Sequence, residues 1–498
     1  MGNKFIQIHM KRGEWMFKGY EKRNFYDEML DGDKPREHYE AFYNTLMDSR
    51  GKELFEKHNA AQSSFLRQGI TFTVYGSEGG TERAMPFDFV PIIIPKEKWT
   101  YIEEGMKQRV AALNAFLDDV YNDQKIVEDG VIPRELIDNN PYYYKEVKHA
   151  NLPIKNHIFL AGIDLIRDEK GDYFVLEDNL RNPSGMSYVF QNRYVMRKIY
   201  PEFFENYSIV TLEEQLDELQ QTLYDHSPSG IKQDEVCAVL LTAGMYNSAY
   251  YDHVFLAKQL NIPLVEGRDL IVKDDYVYLK TIRGLQRVDI IYRRIDDDFL
   301  DPAVFNADSM LGVANILAVY KKGNVAILNA VGNGVADDKA MYYYVPDMIR
   351  YYLNEEPLIP NVTTHLLNDP EVRAWVLEHL DELVVKNVGA SGGYDMLIGP
   401  HSTPEEREIF KEKIIETPHQ YIAQPTISLS RAPAYQNERF YPCHVDLRVF
   451  VFSGKSSFVL PGGLSRVALK EGSLVVNSSQ GGGGKDTWVL KEALVNAK

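Results

Sequence analysis

Two carboxylates that are predicted to face each other across a β-hairpin constrain this chain more than any other feature. Two runs rich in Ile, Leu, Val, Phe and Tyr flank the polar cluster Asp168–Asp172, an arrangement typical of a hairpin. With the tip of the turn in this cluster, Asp164 lies opposite Glu177, and Ile166 lies opposite Val175. Opposed side chains share a face with Cβ atoms about 4.5–5.5 Å apart, where like charges are destabilising. The paired acids therefore need a partner that neutralises them.

An asparagine continues the same face of the hairpin. Asn179 lies two residues beyond Glu177, and its predicted cross-strand partner is Gly162, which has no side chain to fill the space. Three oxygen donors that converge on open space suit a hard cation, and Mg²⁺ is the first choice. The pattern predicts a magnesium site formed by Asp164, Glu177 and Asn179. The alternative is the solvated outer face of a two-layer sheet, on which the paired acids merely repel.

Length and composition are those of an ordinary globular protein. The chain has 498 residues, of which 44% are hydrophobic and 26% charged, enough for about two to four domains. No apolar run approaches the roughly 20 residues of a membrane helix, and the N-terminus lacks the apolar region of a secretory signal. The net charge of −17 argues against a nucleic-acid partner bound over a broad basic surface. With only two cysteines, the expected location is the cytoplasm, without a membrane partner.

Periodicity divides the chain into regions of different architecture. Apolar residues at three- and four-residue intervals predict a helix over Trp99–Tyr121. The stretch His226–Gly230 is a predicted domain boundary, after which strands alternate with helices, as in a small α/β domain with a parallel sheet. Further helices are predicted over Ser309–Tyr320 and Met341–Leu353. Strands and glycine loops begin at Leu383 and continue almost to the C-terminus.

A lysine at the end of a predicted strand is followed by a loop of small residues. In the segment LVVKNVGASGGYDMLIGP, Lys386 ends the strand and Gly389–Gly393 form the loop. Such a loop exposes backbone N–H groups that can hold phosphate oxygens, and a neighbouring ammonium adds a point charge for the same anion. The alternative is a flexible hairpin turn.

The same loop satisfies the pattern G-x-S-x-G, which raises Ser391 as a nucleophile. That motif requires a strand followed by a helix, whereas Tyr394–Ile398 reads as a short strand. A serine hydrolase is therefore the weaker interpretation.

Basic residues recur in the strand-rich segment near the C-terminus. Arg448, Arg466 and Lys485 lie there together with Asn477. Arg448 is surrounded by apolar residues within its strand, where a guanidinium needs a partner. Surface arginines usually serve solubility, but several on one sheet beside a phosphate-binding loop favour anion recognition.

Taken together, these segments resemble the ATP-grasp superfamily, and specifically its circularly permuted branch, whose members are similar to glutathionylspermidine synthases. The segments LEDNLRNPSG, IIYRRIDDDFLDP, VVKNVGASGGYDMLIGP and SLVVNSSQGGGGKDTWV carry the resemblance, which extends over nearly the whole chain. Here the lysine strand and the arginines follow the D…ExN acids instead of preceding them, as a permutation would produce. The resemblance implies an α/β fold, the circularly permuted ATP-grasp fold, with a small parallel-sheet pre-ATP-grasp domain.

The resemblance also implies roles for individual residues. The implied sets are Lys386, Ser391, Gly392, Gly393, Gln424, Ile427 and Asn477 for the nucleotide, Asp164, Glu177 and Asn179 for the metal, and Arg181, Arg448 and Arg466 for catalysis. Lys386 is expected on the α/β phosphates, and the run YIAQPTI is expected to line the adenine as a hinge. This hinge departs from the family pattern, because Pro425 stands where an acidic residue is frequent and has no N–H to offer.

The implied activity is that of an ATP- and Mg²⁺-dependent ligase that joins a carboxylate to an amine through an acyl phosphate and releases ADP and phosphate. Its partners would be small-molecule or peptide carboxylates and amines. A phosphotransferase on the same fold and an ATP-binding protein without chemistry are the alternatives.

Three domains are expected. Residues 1–230 would form a helical region with the metal-binding half of the ATP-grasp domain, residues 231–380 the small α/β substrate domain, and residues 381–498 the half with the lysine, the hinge and the arginines. In the middle domain, Arg293, Arg294 and Asp296–Asp298 would line the substrate cleft or form a structural ion-pair network.

Overall fold

The structure is a computed structural model that describes residues 14–21, 24–76, 79–389, 395–469, 473, 476 and 482–492. Its α-helices are α1 (Glu40–Asp48), α2 (Gly51–Arg67), α3 (Lys96–Tyr121), α4 (Lys125–Glu128), α5 (Arg134–Asp138), α6 (Met186–Ile199), α7 (Leu216–Tyr224), α8 (Tyr250–Gln259), α9 (Ile316–Lys321), α10 (Lys339–Tyr343), α11 (Val345–Met348), α12 (Pro370–Glu378) and α13 (Pro404–Glu416). Its β-strands are β1 (Leu30–Asp31), β2 (Lys34–Pro35), β3 (Thr71–Gly76), β4 (Gly79–Ala84), β5 (Phe87–Ile94), β6 (Leu160–Arg167), β7 (Tyr173–Asn179), β8 (Ala238–Thr242), β9 (Leu264–Val265), β10 (Leu270–Lys273), β11 (Tyr276–Thr281), β12 (Gly284–Val288), β13 (Ile290–Arg294), β14 (Ala326–Leu328), β15 (His365–Leu366), β16 (Leu383–Asn387), β17 (Met396–Ile398), β18 (Tyr421–Pro425), β19 (Arg431–Gln436), β20 (Arg439–Ser453), β21 (Ser457–Val459), β22 (Leu464–Val467) and β23 (Gly483–Val489).

The largest sheet joins the two ends of the chain. Its strand order is β5-β23-β22-β20-β6-β7, with β19 and β21 also paired to β20. Neighbouring strands are antiparallel except β23 and β5, which run parallel. Because β5, β6 and β7 come from residues 87–179 and the other strands come from residues 431–489, neither segment can complete this central sheet alone.

One face of the central sheet is covered by α3. This helix is 26 residues long, and its buried Val110 and Leu113 belong to the same apolar cluster as Ile163 of β6 and Val449 of β20. Successive side chains of a strand point to opposite faces, so the even-numbered residues of β6 and β20 line the other face. That other face carries the acidic and basic side chains predicted from the sequence.

A second sheet is fully parallel and has the order β14-β13-β8-β9. The helix α8 connects β8 to β9, and α9 precedes β14. The predicted parallel sheet is thus confirmed, whereas the three-stranded antiparallel sheet β10-β11-β12 that is inserted into it was not predicted. The short strands β10 (LIVK) and β12 (GLQRV) lack the strict alternation of apolar and polar residues by which a half-buried strand is recognised.

A third sheet carries the lysine strand and has the order β15-β18-β16-β17. A small apolar cluster that includes Leu383, Val385 and Ala423 packs beneath it. Its outer strand β15 comes from the segment expected to belong to the small α/β domain, since residues 231–380 were assigned there. The domain limits themselves stay a prediction.

The helix predicted over Ser309–Tyr320 is mostly irregular, and only Ile316–Lys321 is helical. The carboxylate of Asp301 accepts hydrogen bonds from the backbone N–H groups of Ala303, Asn315 and Leu317 at 2.9–3.0 Å. These bonds satisfy donors that a helix would otherwise use, so the loop is stable without one. Within the described part of the chain, no helix is long and apolar enough to cross a membrane.

Candidate functional site

The hairpin formed by β6 and β7 brings the two predicted carboxylates together. Asp164 is the cross-strand partner of Glu177, and Gly162 is the partner of Asn179, as the sequence predicts. The absence of a side chain at Gly162 matters, because a Cβ there would come within 2.8 Å of Pro183. The register on which the site hypothesis depends is therefore confirmed.

Towards the turn, the register shifts by one residue. Ile166 pairs with Phe174 and not with Val175, so this part of the prediction is wrong. The shift occurs beyond Asp164, where the extra residue Leu176 forms a β-bulge in β7. A bulge changes which side chains share a face, and it adds local twist next to the acids.

Asp164 is held between two arginines. Its carboxylate accepts hydrogen bonds from Arg448 at 2.7 and 2.9 Å and from Arg466 at 2.7 Å. Asp164 is only 2% exposed. Arg466 in turn donates to Asp446, with its Nε 2.9 Å from Oδ1. Although burial raises the pKa of Asp164, the two guanidinium groups outweigh it and hold the pKa at about 2. Asp164 is therefore a carboxylate throughout the physiological range.

This network follows from strand pairing. Arg448 is the cross-strand partner of Asp164, and Arg466 is the cross-strand partner of Asp446. Two arginines and two aspartates thus form a ladder across β6, β20 and β22, and their formal charges cancel. The ladder fixes geometry but presents no net positive charge.

The lysine strand approaches the same acids from the third sheet. Lys386 donates a hydrogen bond to Oε1 of Gln424 at 2.8 Å, and Gln424 donates from Nε2 to Thr364 at 3.0 Å. Burial lowers the pKa of Lys386 to about 8, against the opposing effect of the nearby Glu177 carboxylate. The structure therefore brings Lys386 and Glu177 together, although they lie far apart in the sequence.

A second lysine lies at this junction and was missed in the sequence. Lys339, the first residue of α10, forms an ion pair with Glu177 at 3.6 Å. Its backbone N–H also donates to the carbonyl of Val388, at the start of the glycine loop. Asp338 caps α10 by accepting from two backbone N–H groups, which fixes where the helix begins. Only this capping signal was visible in the sequence, and it does not indicate that α10 faces the acids.

A small cavity separates the acids from the lysine strand. Its lining includes Glu177, Lys339, Lys386 and Gln424, and it encloses about 10 Å³, roughly the space of one water molecule. A ligand larger than water could bind between these residues only if the central sheet and the lysine sheet moved apart. Such hinged closure around a ligand is common in two-lobed proteins.

Arg181 forms an ion pair with Asp337, which lines this cavity. Its Nε donates to Asp337 at 2.8 Å, and its guanidinium lies 4.1 Å from the centre of the Tyr142 ring. The hydroxyl of Tyr142 donates to the carbonyl of Gly389, the first residue of the glycine loop, at 3.3 Å. Tyr142 therefore links Arg181 to the loop, and nothing in the sequence indicated this contact.

The two predicted hinge residues have different surroundings. Gln424 is buried within β18, which is paired on both sides, so its backbone is engaged in the sheet. Ile427 lies beyond Pro425 and packs, partly buried, against an apolar cluster of Ile166, Val362 and Leu429. Leu176, which packs against the same cluster, also lines the cavity.

Four predicted site residues lie outside the described residues. They are Ser391, Gly392, Gly393 and Asn477. Their roles, and the alternative in which Ser391 is a nucleophile, stay predictions.

The donor set fits a hard cation at two of its three members. Glu177 has a partly accessible carboxylate, and Asn179, whose buried Nδ2 has no hydrogen-bond partner, would bind the cation through its Oδ1, because an amide N–H₂ donates hydrogen bonds and does not bind metals. Both oxygens of Asp164 already accept from arginines, so this carboxylate could bind a cation only by giving up one of those bonds. Among the described residues, no group of three or more His, Cys, Asp or Glu side chains could hold a metal ion. A magnesium site here would therefore depend on Glu177 and Asn179 together with oxygens of the ligand.

Two basic residues singled out from the sequence belong to the framework. Arg293 donates to the carbonyls of Asn329 and Ile295 and to the carboxylate of Asp297, all at 2.8–2.9 Å. Lys485 is fully buried and pairs with Asp88. The structural alternative is therefore correct for Arg293.

Comparisons with known proteins agree with this architecture. The sequence matches the family described as circularly permuted ATP-grasp type 2 over residues 91–468. An uncharacterized protein of Synechocystis sp. is 47% identical over 474 residues, which cover 95% of this chain and 98% of that relative.

Two further proteins are similar in sequence or in fold. A Frankia alni protein named "Putative glutamate–cysteine ligase 2-3" is 40% identical over 468 residues, which cover 93% of this chain but only 54% of that relative. A glutathione synthetase-like effector from Globodera pallida, solved in the apo form, superposes with a TM-score of 0.58 at 12% identity, covering 89% of this chain and 98% of the effector. The likeness to the effector concerns the fold alone.

Proposed function

The chain belongs to the circularly permuted ATP-grasp family, and on that premise we propose that it is an ATP- and Mg²⁺-dependent ligase that joins a carboxylate to an amine. ATP would bind between the central sheet and the lysine sheet. The proposal includes the three domains expected from the sequence, with the small parallel-sheet domain contributing to the substrate cleft. It also includes a cytoplasmic location, which suits a chain in which Cys237 and Cys443 form no disulfide.

One observation carries the proposal: Glu177 and Lys386 line the same cavity from different sheets. A carboxylate suited to a metal and an ammonium suited to phosphate lie on opposite walls, as a metal–triphosphate complex requires. Lys339 adds a second ammonium beside Glu177. Asp178 and Asp337 also line the cavity, but they pair with Arg109 and Arg181, so the two lysines and Glu177 leave one net positive charge that attracts anions.

The chemistry proceeds in two steps. A carboxylate oxygen attacks the γ-phosphorus of ATP, the bond from that phosphorus to the bridging oxygen breaks, and ADP leaves with the bonding electrons. The resulting acyl phosphate is attacked at carbon by an amine, the carbon–oxygen bond breaks, and inorganic phosphate leaves while the nitrogen loses a proton. No covalent intermediate with a protein side chain is needed.

The residues of the site have separate tasks in this scheme. Lys386 would contact the α/β phosphates, and Arg448 and Arg466 would face the γ-phosphate from the ladder that holds them rigidly. Arg181, which is held by Asp337 and Tyr142, would orient the phosphorylated intermediate. Mg²⁺, held by Glu177 and Asn179 with Asp164, would neutralise charge on the phosphate oxygens.

The adenine and the loop complete the proposed nucleotide site. Ile427 and the apolar cluster beside it would cover the adenine. Gln424 would position Lys386 through the hydrogen bond that it accepts from the ammonium. Ser391, Gly392 and Gly393 would close over the triphosphate, and Asn477 would support the metal or a phosphate. A closed loop would exclude water and protect the acyl phosphate from hydrolysis.

Names of relatives suggest trial substrates but do not identify them. The Frankia relative is named for glutamate and cysteine, yet this chain covers about half of its length. We therefore include L-glutamate and L-cysteine in a wider pool of carboxylates, amines, amino acids and short peptides.

A screen for ADP release tests the proposal. Purified protein, Mg²⁺ and ATP are incubated with pooled carboxylates and amines, and products are identified by mass spectrometry. A ligase gives ADP and a new amide only when both substrates are present, whereas a phosphotransferase gives a stable phosphorylated product without an amine. Failure of every pool to release ADP, with ATP binding intact, would favour the non-catalytic ATP-binding alternative.

A further inference from the structure

The parallel sheet has a topological switch point that faces the candidate site. The chain leaves β8 towards β9 on one side and returns to β13 on the other, as the order β14-β13-β8-β9 requires. Ligands of open parallel sheets bind outside the carboxyl ends of the strands at such a point. Thr242 and Arg294 are the last residues of β8 and β13, and they are cross-strand partners there. Arg294 therefore marks the place where this sheet would bind a ligand.

Arg294 is buried, yet its hydrogen bonds are poor. It is 3% exposed, and its Nε is buried without a partner. Its two recorded hydrogen bonds, to the carbonyl of Asn182 and to the hydroxyl of Tyr292, are both 3.4 Å long. The carboxylate of Asp252 lies 3.8 Å away, beyond hydrogen-bond distance. A buried guanidinium with partners this distant is costly unless a ligand supplies better ones.

Three other buried polar atoms around Arg294 lack partners as well. They are Oδ2 of Asp252, Oγ of Ser187 and Oδ1 of Asn182. These residues come from α8, from α6 and from the loop that follows the metal-binding strand β7. Of these three atoms only the Ser187 hydroxyl can donate to an anion, because carboxylate and amide oxygens accept hydrogen bonds. Incomplete hydrogen bonding of Arg294 and Ser187, which lie on separate elements, indicates a missing ligand better than a packing fault in either one.

The neighbouring Arg293 provides the contrast. It belongs to the same strand and is equally buried, yet its guanidinium makes four hydrogen bonds to Asn329, Ile295, Asp297 and Ala330. The fold therefore satisfies one arginine of this pair completely and leaves the other incomplete. Burial in this sheet therefore does not by itself explain why the hydrogen bonding of Arg294 is incomplete.

Arg294 supplies a positive charge at the carboxyl ends of β8 and β13. Burial and the positive charge of Arg294 place the pKa of His253 well below its ordinary value, so the imidazole is neutral. Its Nδ1 is engaged with the Thr242 hydroxyl at 2.8 Å. Two acids lie nearby: Asp252, one of whose oxygens already accepts from the backbone N–H of Ser187 at 2.8 Å, and the exposed Asp296, which accepts from the side-chain amide of Asn182 at 2.9 Å. An anion entering the crevice would meet Arg294 and the Ser187 hydroxyl as donors.

We propose that Arg294, with Ser187, forms a subsite for a carboxylate of the substrate that is not the reacting one. The inference rests on the proposed ligase function. The guanidinium fork matches a carboxylate, and the Arg294 contact with Asn182 lies three residues beyond the metal-binding Asn179. A substrate held here by one carboxylate would extend its other carboxylate towards Arg181 and the phosphates. The substrate class is accordingly a compound with two carboxylates, such as a dicarboxylic acid or an acidic amino acid.

The test uses glutarate as a minimal dicarboxylate and glutaramide as its uncharged analogue. Binding to the full-length protein is measured by calorimetry at constant ionic strength. Glutarate should bind and glutaramide should not, and Arg294→Met should weaken glutarate binding about tenfold or more, since a charged hydrogen-bonded pair is lost. Equal binding of the two probes, or an unchanged glutarate affinity in Arg294→Met, would overturn the subsite.

Two further variants distinguish the loss of the subsite from misfolding of the protein. Arg283→Met removes an exposed arginine from the same domain and should leave glutarate binding unchanged. Asp252→Asn removes the acid that competes for Arg294, while its side-chain oxygen can still accept from Ser187, so glutarate should bind more tightly. Misfolding cannot produce a gain in affinity, and weaker glutarate binding in Asp252→Asn would count against the subsite.

Failure of the subsite and failure of the ligase proposal are distinguishable. The dissociation constant of a non-hydrolysable ATP analogue should be the same in Arg294→Met and in the wild type. If no pool releases ADP but glutarate binding depends on Arg294, the subsite stands without the ligase. If ADP release occurs with an unchanged KM in Arg294→Met, the ligase stands without the subsite.

Discussion

Arg448 and Asp164 are 284 positions apart in the sequence, yet they face each other directly across β20 and β6, with Nε 2.7 Å from Oδ1. This pair joins the two distant segments that build the central sheet. Because Arg466 donates to the same carboxylate, Asp164 connects three strands at once. Removing its charge should therefore affect stability and the geometry of the site together.

The first prediction concerns acid sensitivity. The pKa of Asp164 is about 2 in the folded protein, below its ordinary value of 3.8, so its ionisation contributes stability above about pH 4 that is lost as the pH falls through about 2. Asp164→Asn should lower the free energy of unfolding at pH 7 by about 3–5 kcal/mol, because two guanidinium groups lose their partner. It should also flatten the dependence of stability on pH between about 4 and 2.

Urea unfolding at stepped pH measures this effect. Asp172→Asn is the matched control, since Asp172 is an exposed carboxylate on the same hairpin. The control should resemble the wild type, and a wild-type slope in Asp164→Asn would refute the account of the ladder.

The second prediction concerns Glu177. Glu177→Gln keeps the size of the side chain but removes the charge that would bind Mg²⁺ and that pairs with Lys339. ATP turnover with both substrates should fall by about 100-fold or more, because charge at the phosphates is no longer balanced. Glu169→Gln, an exposed glutamate in the turn of the same hairpin, should keep full turnover. Matching circular dichroism spectra exclude loss of folding, and wild-type turnover in Glu177→Gln would remove this residue from the site.

The third prediction follows from the lowered pKa of Lys386. At about pH 8 half of the molecules carry a neutral Lys386, because burial disfavours the ammonium. A bound triphosphate favours the ammonium, so ATP binding should be accompanied by proton uptake between about pH 8 and 10. Calorimetric titrations in two buffers of different ionisation enthalpy measure this uptake.

Two variants assign the proton to Lys386. Lys386→Met should bind a non-hydrolysable ATP analogue more weakly and lose the uptake. Lys411→Met, on the outer helix α13, should keep both properties of the wild type. Undiminished uptake in Lys386→Met would show that another group takes the proton.

Sequence information was sufficient for those features that depend on local pattern. Opposed apolar runs and a polar turn were enough to predict the hairpin, but the pairs next to the turn, such as Ile166 with Phe174, show that the predicted turn position was offset by one residue. Asp164 pairs with Glu177 as predicted because the bulge at Leu176, which nothing local marks, compensates for that offset. The predicted pairs are therefore correct on one side of the bulge and offset by one residue on the other.

Features that depend on contacts between distant elements could not be predicted. Lys339 matches no motif, and only the packing of α10 brings it to Glu177. Arg293 and Arg294 are equivalent in the sequence, yet the carbonyls of Ile295 and Asn329 lie within reach of the first alone. Alternation along a strand puts neighbouring side chains on opposite faces of the sheet. Which groups they meet on each face is decided by the tertiary fold.

The fourth prediction concerns the residue between the two proposed metal ligands of β7. Asp178 points away from Glu177 and Asn179 to the other face, where both of its oxygens accept from Arg109 of α3 at 2.6 Å. Arg109 also donates to Asn361 at 2.7 Å. This buried pair attaches the acidic strand to the longest described helix. Arg109→Met should therefore cost about 3–5 kcal/mol of unfolding free energy, because it leaves an unpaired buried carboxylate.

A double-mutant cycle separates the interaction energy of the Arg109–Asp178 pair from the free-energy cost of burying each charge. Asp178→Leu alone should be similarly destabilising, since it leaves the guanidinium unpaired, whereas the double variant Arg109→Met/Asp178→Leu buries no charge and should recover part of the loss. Chemical denaturation gives all four free energies. Simple additivity of the two single changes would mean that Arg109 and Asp178 act independently, and the helix would then be attached by apolar packing alone. Recovery of stability with weakened ATP binding would instead show that the pair sets the position of Glu177 and Asn179 and not only the strength of the fold.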